Sequence, residues 1–217
     1  MKSRLMLTAV IIIISTILFA QEQGQYRTVL PREKNVFVNP SDNEFMIKAG
    51  TGYASDPGKF GLDISLNYLY NIDPVFVFGF EGDFFWIHWK SKLENINIAA
   101  TGASVNAKTD LYTLPFFANA QVRFPFLRNK IHVMPAATVG IGYAVMILDY
   151  TSDDSEGTKI YGGLALQGFA SAYYRMYSES AVDFLFDIGY RRLDLSKGKV
   201  GIDMSGPFTR LGVKFYM

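Results

Sequence analysis

Between Leu111 and Leu148 the chain carries two runs, LYTLPFFANAQVRFPF and IHVMPAATVGIGYAVMIL, joined by LRNK. Both alternate. In the first, Leu114, Phe116, Ala118, Ala120, Val122 and Phe124 share one face, and Thr113, Phe117, Asn119, Gln121 and Arg123 the other. In the second, Ile131, Val133, Ala137, Val139, Ile141, Tyr143, Val145 and Ile147 oppose His132, Met134, Ala136, Thr138, Gly140, Gly142 and Ala144. Side chains of a strand point to opposite faces in turn, so each run is a strand with one unbroken apolar face. A short polar link between two such runs predicts a hairpin.

An apolar face of that length needs cover. In a soluble antiparallel sheet the cover is a second sheet or a helix. Outside the N-terminal segment no stretch of this chain has a helical apolar period. The other solution is a closed barrel in a membrane, apolar outside and polar within. The rest of the chain fits that solution. Further alternating runs are expected at Phe45–Tyr53, Gly61–Tyr70, Val75–Trp89, Ile160–Met176, Ala181–Arg192 and Pro207–Met217. With the first two they make eight strands. At Phe84-Phe85-Trp86-Ile87 the alternation fails, and a bulge is a possible reading there. The intervening segments sort by length, with short turns at one end. Longer loops, Lys90–Asp110, Asp149–Lys159 and Leu193–Gly206, fall at the other. Outward aromatics sort to strand ends as girdles would: Tyr68, Tyr70, Phe76, Phe124, Tyr174 and Phe215 at the turn end, Tyr53, Trp86 and Tyr190 at the loop end. The expected fold is therefore all-β, an eight-stranded antiparallel transmembrane β-barrel. A soluble lipocalin-like barrel, with the apolar faces inside, is the rival fold.

The N-terminus carries Lys2 and Arg4, an apolar core from Leu5 to Phe19 and a small residue at Ala20. That is the pattern of a cleaved secretory signal peptide, and the apolar run falls short of the roughly 20 residues of a spanning helix. The expected organisation is a signal peptide over 1–20, a periplasmic leader over 21–44 and the barrel over 45–217. With no cysteine there is no disulfide, thiolate metal site or lipoprotein anchor. A net charge of +1 gives no reason to expect nucleic acid as a partner.

At Phe124-Pro125, followed by Pro135, Gly140, Gly142 and Tyr143, the chain resembles the small eight-stranded outer-membrane barrel superfamily. That group includes the transmembrane domain of outer-membrane protein A and the proteins X and W. The resemblance covers Phe45 to Met217 and implies the outer membrane of a diderm bacterium. It also implies contact with outer-membrane lipid, with lipopolysaccharide or its equivalent, and with the barrel assembly machinery.

The expected inward polar set is Lys48, Asp63, Glu81, Asp83, Arg123, Arg175, Asp183, Asp187, Arg191, Arg210 and Lys214. An eight-stranded barrel is only wide enough for its own side chains. Such charges form either a plug of paired ions or the lining of a narrow, gated path, because an isolated buried charge is costly. The lipid A deacylase family resembles a His-x-Ser arrangement. Here His88-Trp89-Lys90-Ser91 is spaced by three, which puts the two side chains on opposite faces of a strand. His88 is instead expected near Trp86 and Trp89 in an interfacial belt. His88 and His132 do not make a metal site by spacing, and Gly140-x-Gly142 is followed by no helix that would make it a nucleotide loop. No enzyme activity and no cofactor are expected. The expected role is structural, or interaction at the cell surface through the loops with the medium or host ligands. The alternative is a channel for small or hydrophobic solutes.

Overall fold

The computed structural model describes residues 43–94, 104–125, 128, 132–151, 156–175, 182–197 and 200–217. The expected signal peptide, nearly all of the expected leader, and parts of five connections lie outside the described residues. Among the described residues there are nine strands: β1 (Asn43–Ala54), β2 (Lys59–Asn71), β3 (Phe76–Glu94), β4 (Ser104–Arg123), β5 (Val133–Thr151), β6 (Glu156–Tyr174), β7 (Val182–Lys197), β8 (Val200–Asp203) and β9 (Gly206–Tyr216). Every pairing is antiparallel. Neighbours in sequence pair from β1 to β7, β9 joins β7 to β1, and the ring closes. β8 and β9 hold one register against β7, from Lys197↔Val200 through Arg191↔Gly206 to Val182↔Phe215. They occupy one ladder position, interrupted at Met204–Ser205, so the barrel has eight positions. Within the closed ring no strand edge is left unpaired toward lipid; β8, paired with β7 alone, and the overhang of β3 and β4 lie beyond the ring.

Burial alternates along each strand as the hydrophobic pattern predicts. β1 buries Glu44, Met46 and Lys48 and exposes Ile47 and Ala49. The alternation continues through Phe84–Ile87, and β2 and β3 stay in register from Asn71↔Val77 to Leu62↔Trp86. There is no bulge. The pattern was lost in the sequence because the inward residues Phe85 and Ile87 are themselves apolar, not because the backbone shifts.

The connections correct the expected sorting by length. β3 and β4 remain paired out to Glu94↔Ser104, and β5 and β6 out to Thr151↔Glu156. The stretches expected as long loops are mostly paired strand. The expected four-residue link LRNK becomes the longer connection 124–132, and β5 starts at Val133. His132 lies before it with φ of 58°, a left-handed conformation that ends a turn rather than starting a strand. What sorts to one end is overhang. β3 runs eight residues beyond Trp86, while at the opposite end the strands stop close to the apolar edge. The β1–β2 turn is short, with Gly58 supplying φ of 59°. It is tied to the interrupted strand by the amides of Ser55 and Asp56, which donate to the carbonyls of Ser205 and Asp203 at 3.0 Å each.

Outside, register places side chains in rows. Phe76, Val122, Ala137 and Ala170 form the lowest complete row on β3–β6, and Trp86, Tyr112, Ile147 and Ile160 the highest apolar one. The ten residue steps between them, at about 3.3 Å each and inclined by about 40°, span about 25 Å. That is the height of the lipid-facing band of a membrane barrel. The next row, His88, Asp110, Asp149 and Thr158, is polar. Ile141, Val139 and Leu211, each about 60% or more exposed, would be a liability in water and are at home in lipid. The barrel is a transmembrane barrel, with its apolar surface outside.

Candidate functional site

The interior is built in four layers, legible along β7. Reading from the turn end, its inward residues are Asp183, Leu185, Asp187, Arg191, Leu193 and Leu195. The first layer is ionic, the second apolar, the third ionic and the fourth apolar.

The lowest layer joins Glu44, Arg123, Arg128, Arg175, Asp183 and Lys214. Arg123 grips Glu44 with both terminal nitrogens, at 2.9 and 2.6 Å, while its Nε donates to Gln121 at 2.7 Å. Asn71 closes that group, donating to Glu44 at 3.1 Å and accepting from Arg123 at 3.0 Å. Asp183 accepts from Arg128 Nη2 at 2.5 Å, from Arg175 Nε at 2.7 Å and from the Tyr216 hydroxyl. Above it Met46, Leu69, Val77, Met134, Ala136, Tyr173 and Leu185 form an apolar spacer.

The central layer joins Lys48, Arg191 and Arg210 to Asp63, Glu81, Asp83 and Asp187. Arg210 is the hub. Its Nη1 lies 2.7 Å from Glu81, 3.3 Å from Asp83 and 4.0 Å from Asp63, and its Nη2 3.6 Å from Asp187. Lys48 donates to Asp187 at 2.8 Å, and Arg191 to Asp83 at 2.9 Å and to Asp63. Neutral donors complete the set: Asn67 and Asn119 reach Glu81 at 2.5 and 2.8 Å, and Ser171 reaches Asp187 at 2.7 Å. Phe169 and Phe208 floor the guanidinium of Arg210 at 5.3 and 4.3 Å. Such pairing keeps the layer from being a set of isolated buried charges.

The fourth layer is a cluster of Ala54, Phe85, Ile87, Leu111, Phe117, Ala144, Met146, Tyr161, Ala165, Leu193, Leu195 and Met204. Trp89, expected beside Trp86 in the outer belt, turns inward and packs against this cluster.

The structure thus gathers the eleven expected polar residues into two separate groups, each residue no more than 5% exposed. Two members were missed. Glu44 falls in the expected leader, although its parity with Lys48 was a usable signal. Arg128 falls in the expected short polar link and folds back onto Asp183. Gly140 and Gly142 leave room for these layers: a Cβ on Gly140 would lie 2.1 Å from Asn119 Oδ1, and one on Gly142 1.7 Å from the Phe116 carbonyl oxygen.

Above the apolar band, on the outer surface, His88 Nδ1 lies 2.6 Å from Asp110 Oδ1, and Trp86 Nε1 donates to the same oxygen at 3.4 Å. Partial burial pushes the Asp110 carboxyl up. The hydrogen bonds from His88 and Trp86 outweigh it and hold the group below its ordinary value. Among the described residues no hydroxyl or thiol is hydrogen-bonded to His88, and no group of three or more His, Asp or Glu is placed to hold a metal ion.

No protein-family model matches the chain, and no curated protein does. Among solved structures it is similar to the outer membrane protein OprG from Pseudomonas aeruginosa, at 13% identity and TM-score 0.52, over 81% of this chain and 95% of that one. It is also similar to Neisserial surface protein A, at 18% identity and TM-score 0.49, over 82% and 98%. A third likeness is a major outer membrane protein from Thermus thermophilus, at 14% identity and TM-score 0.47, over 80% and 98%. At such identities the likeness to OprG speaks to the fold, which is that of the small eight-stranded outer-membrane barrels.

Proposed function

We propose that this chain is a sealed barrel of the outer membrane of a diderm bacterium, acting as a structural or surface-interaction protein and not as an enzyme or a pore. The observation that carries this reading is the filled interior: two ionic layers and two apolar ones lie in series, and the polar members are almost wholly buried. A solute path would have to part Arg210 from its carboxylates and then displace a cluster of aromatic and aliphatic side chains. The overhanging hairpins β3–β4 and β5–β6 are the surfaces offered to the medium or to host ligands. The apolar band would sit in outer-membrane lipid, with the polar rim among headgroups of lipopolysaccharide or its equivalent. Insertion would use the barrel assembly machinery.

The test is membrane fractionation of the native host, followed by planar-bilayer recording of the purified, heat-modifiable barrel. The expected result is outer-membrane fractionation and no sustained conductance. A stable open level would favour the solute-channel reading. Recovery in the soluble fraction would overturn both.

A further inference from the structure

The two ionic layers are not equally balanced. Among the described residues the central layer sets three cations, Lys48, Arg191 and Arg210, against four carboxylates. Among the same described residues the lowest layer sets four cations, Arg123, Arg128, Arg175 and Lys214, against two carboxylates, Glu44 and Asp183. Arg123 is satisfied by Glu44, Asn71 and Gln121. The other three cations all draw on Asp183. Lys214 Nζ lies 3.4 Å from it and 3.3 Å from Glu44, yet makes no directed hydrogen bond. Arg175 commits Nε to Asp183 and leaves Nη2 without a partner; Arg128 leaves Nε without one. All three side chains are at most 2% exposed. The Tyr216 ring lies 4.6 Å from the Arg175 guanidinium and 4.4 Å from Lys214 Nζ, and Tyr173 lies 4.5 Å from the latter. Ring quadrupoles hold cations in place but carry no net charge.

Buried cations in excess call for an anion or for loss of a proton, and unpartnered N–H groups call for an acceptor. We propose that the turn-end mouth of the barrel holds a small inorganic anion of the halide class, bound by Arg175 Nη2 and Lys214 Nζ beside Asp183, with Arg128 closing the site from below. The apolar spacer of Met46, Leu69, Val77 and Leu185 separates this site from the central layer. The anion enters from the turn end, not through the lumen. Charge sets its sign, and the enclosure of the donors sets its small size.

The probe is bromide, used on the full folded barrel. Crystals grown in bromide should show an anomalous peak within hydrogen-bond reach of Arg175 Nη2 and Lys214 Nζ. In detergent at fixed ionic strength, the midpoint of the heat-induced gel shift should rise saturably with chloride and stay flat with gluconate. Arg175→Gln and Lys214→Met should each weaken the apparent chloride affinity by about tenfold or more. Arg192→Gln, an exposed control, should leave it unchanged. Bromide peaks confined to the outer surface, or equal midpoints in chloride and gluconate, would overturn the site. If Arg175→Gln does not fold, Lys214→Met and the unmutated barrel still decide. Because each readout starts from a folded barrel, failure here is distinct from failure of the outer-membrane reading.

Discussion

The central and the loop-end layers of this barrel fill the same kind of space with opposite chemistry. In the central layer, Arg210 lies 2.7 to 4.0 Å from four carboxylates, which Lys48 and Arg191 also pair. In the loop-end layer, side chains such as Phe85, Leu193 and Met146 pack with no charge at all. Inside the apolar band the outward face must be apolar, so polar filling keeps the two faces of each strand distinct and pins the register. A one-residue slip would put Asp63 and Arg210 into lipid. Beyond the band, the outer face turns polar at His88 and Asp110. The apolar filling begins below that row, with Phe85 and Met146 beneath an outer face still apolar at Trp86 and Ile147, and continues past it at Ile87 and Leu111, where the strand becomes that of an ordinary water-facing sheet.

The contrast makes different demands on mutation. Arg210→Met should have the largest effect, about 3–5 kcal/mol of lost unfolding free energy, because it leaves Glu81, Asp83, Asp63 and Asp187 facing one another. Urea unfolding from liposomes reads it; a loss under about 1 kcal/mol would mean that the central layer does not rely on its hub. Leu193→Ala in the loop-end layer should cost about 2–4 kcal/mol, the penalty for a cavity in a packed cluster. Repeated across pH, the same unfolding experiment should show no dependence beyond that of the unmutated protein, unlike Arg210→Met. Ile141→Arg on the outer wall should cost about 2–4 kcal/mol in a bilayer. In a soluble barrel an exposed position would accept arginine at almost no cost, so a neutral outcome in liposomes would count against lipid contact.

Asp110 gives the smallest effect, at the boundary between the two regimes. Its carboxyl is held below 3.8 in the folded protein. The stabilisation is therefore fully present above about pH 4 and fades as pH falls through the lowered folded value. His88→Ala should remove that acid-side dependence and raise the Asp110 titration midpoint seen by NMR, with little change in stability at pH 7.

The same contrast explains what could be read in the sequence. Where inward residues are polar, as along Asp183 to Arg191 or Lys48 to Gly52, alternation is plain and the strand faces were predictable. At Phe84–Ile87 both faces are apolar, and an unbroken strand imitated a bulge. The polar stretches Lys90–Asp110 and Asp149–Lys159 imitated loops, because composition carries no sign of backbone pairing. The grouping of charges was beyond the sequence as well. Lys48 meets Asp187 across 139 positions of chain, and only closure of the barrel brings them together. Arg128 was missed because nothing local distinguishes an arginine in a link that faces water from one that folds back onto Asp183.

The chain has no cysteine, so each introduced one is its sole thiol. Spin labels placed singly along β5 from Val133 to Asp149, with the barrel in liposomes, can be scored for collision with lipid-soluble oxygen and with a water-soluble nickel chelate. Val139, Ile141, Tyr143 and Val145 should be oxygen-accessible and chelate-protected, alternating with Ala136, Thr138 and Met146, which should be shielded from both, until both patterns give way at Asp149. If the odd positions were instead shielded and the even ones open to the chelate, the apolar face would be turned inward, and the chain would not be a membrane barrel.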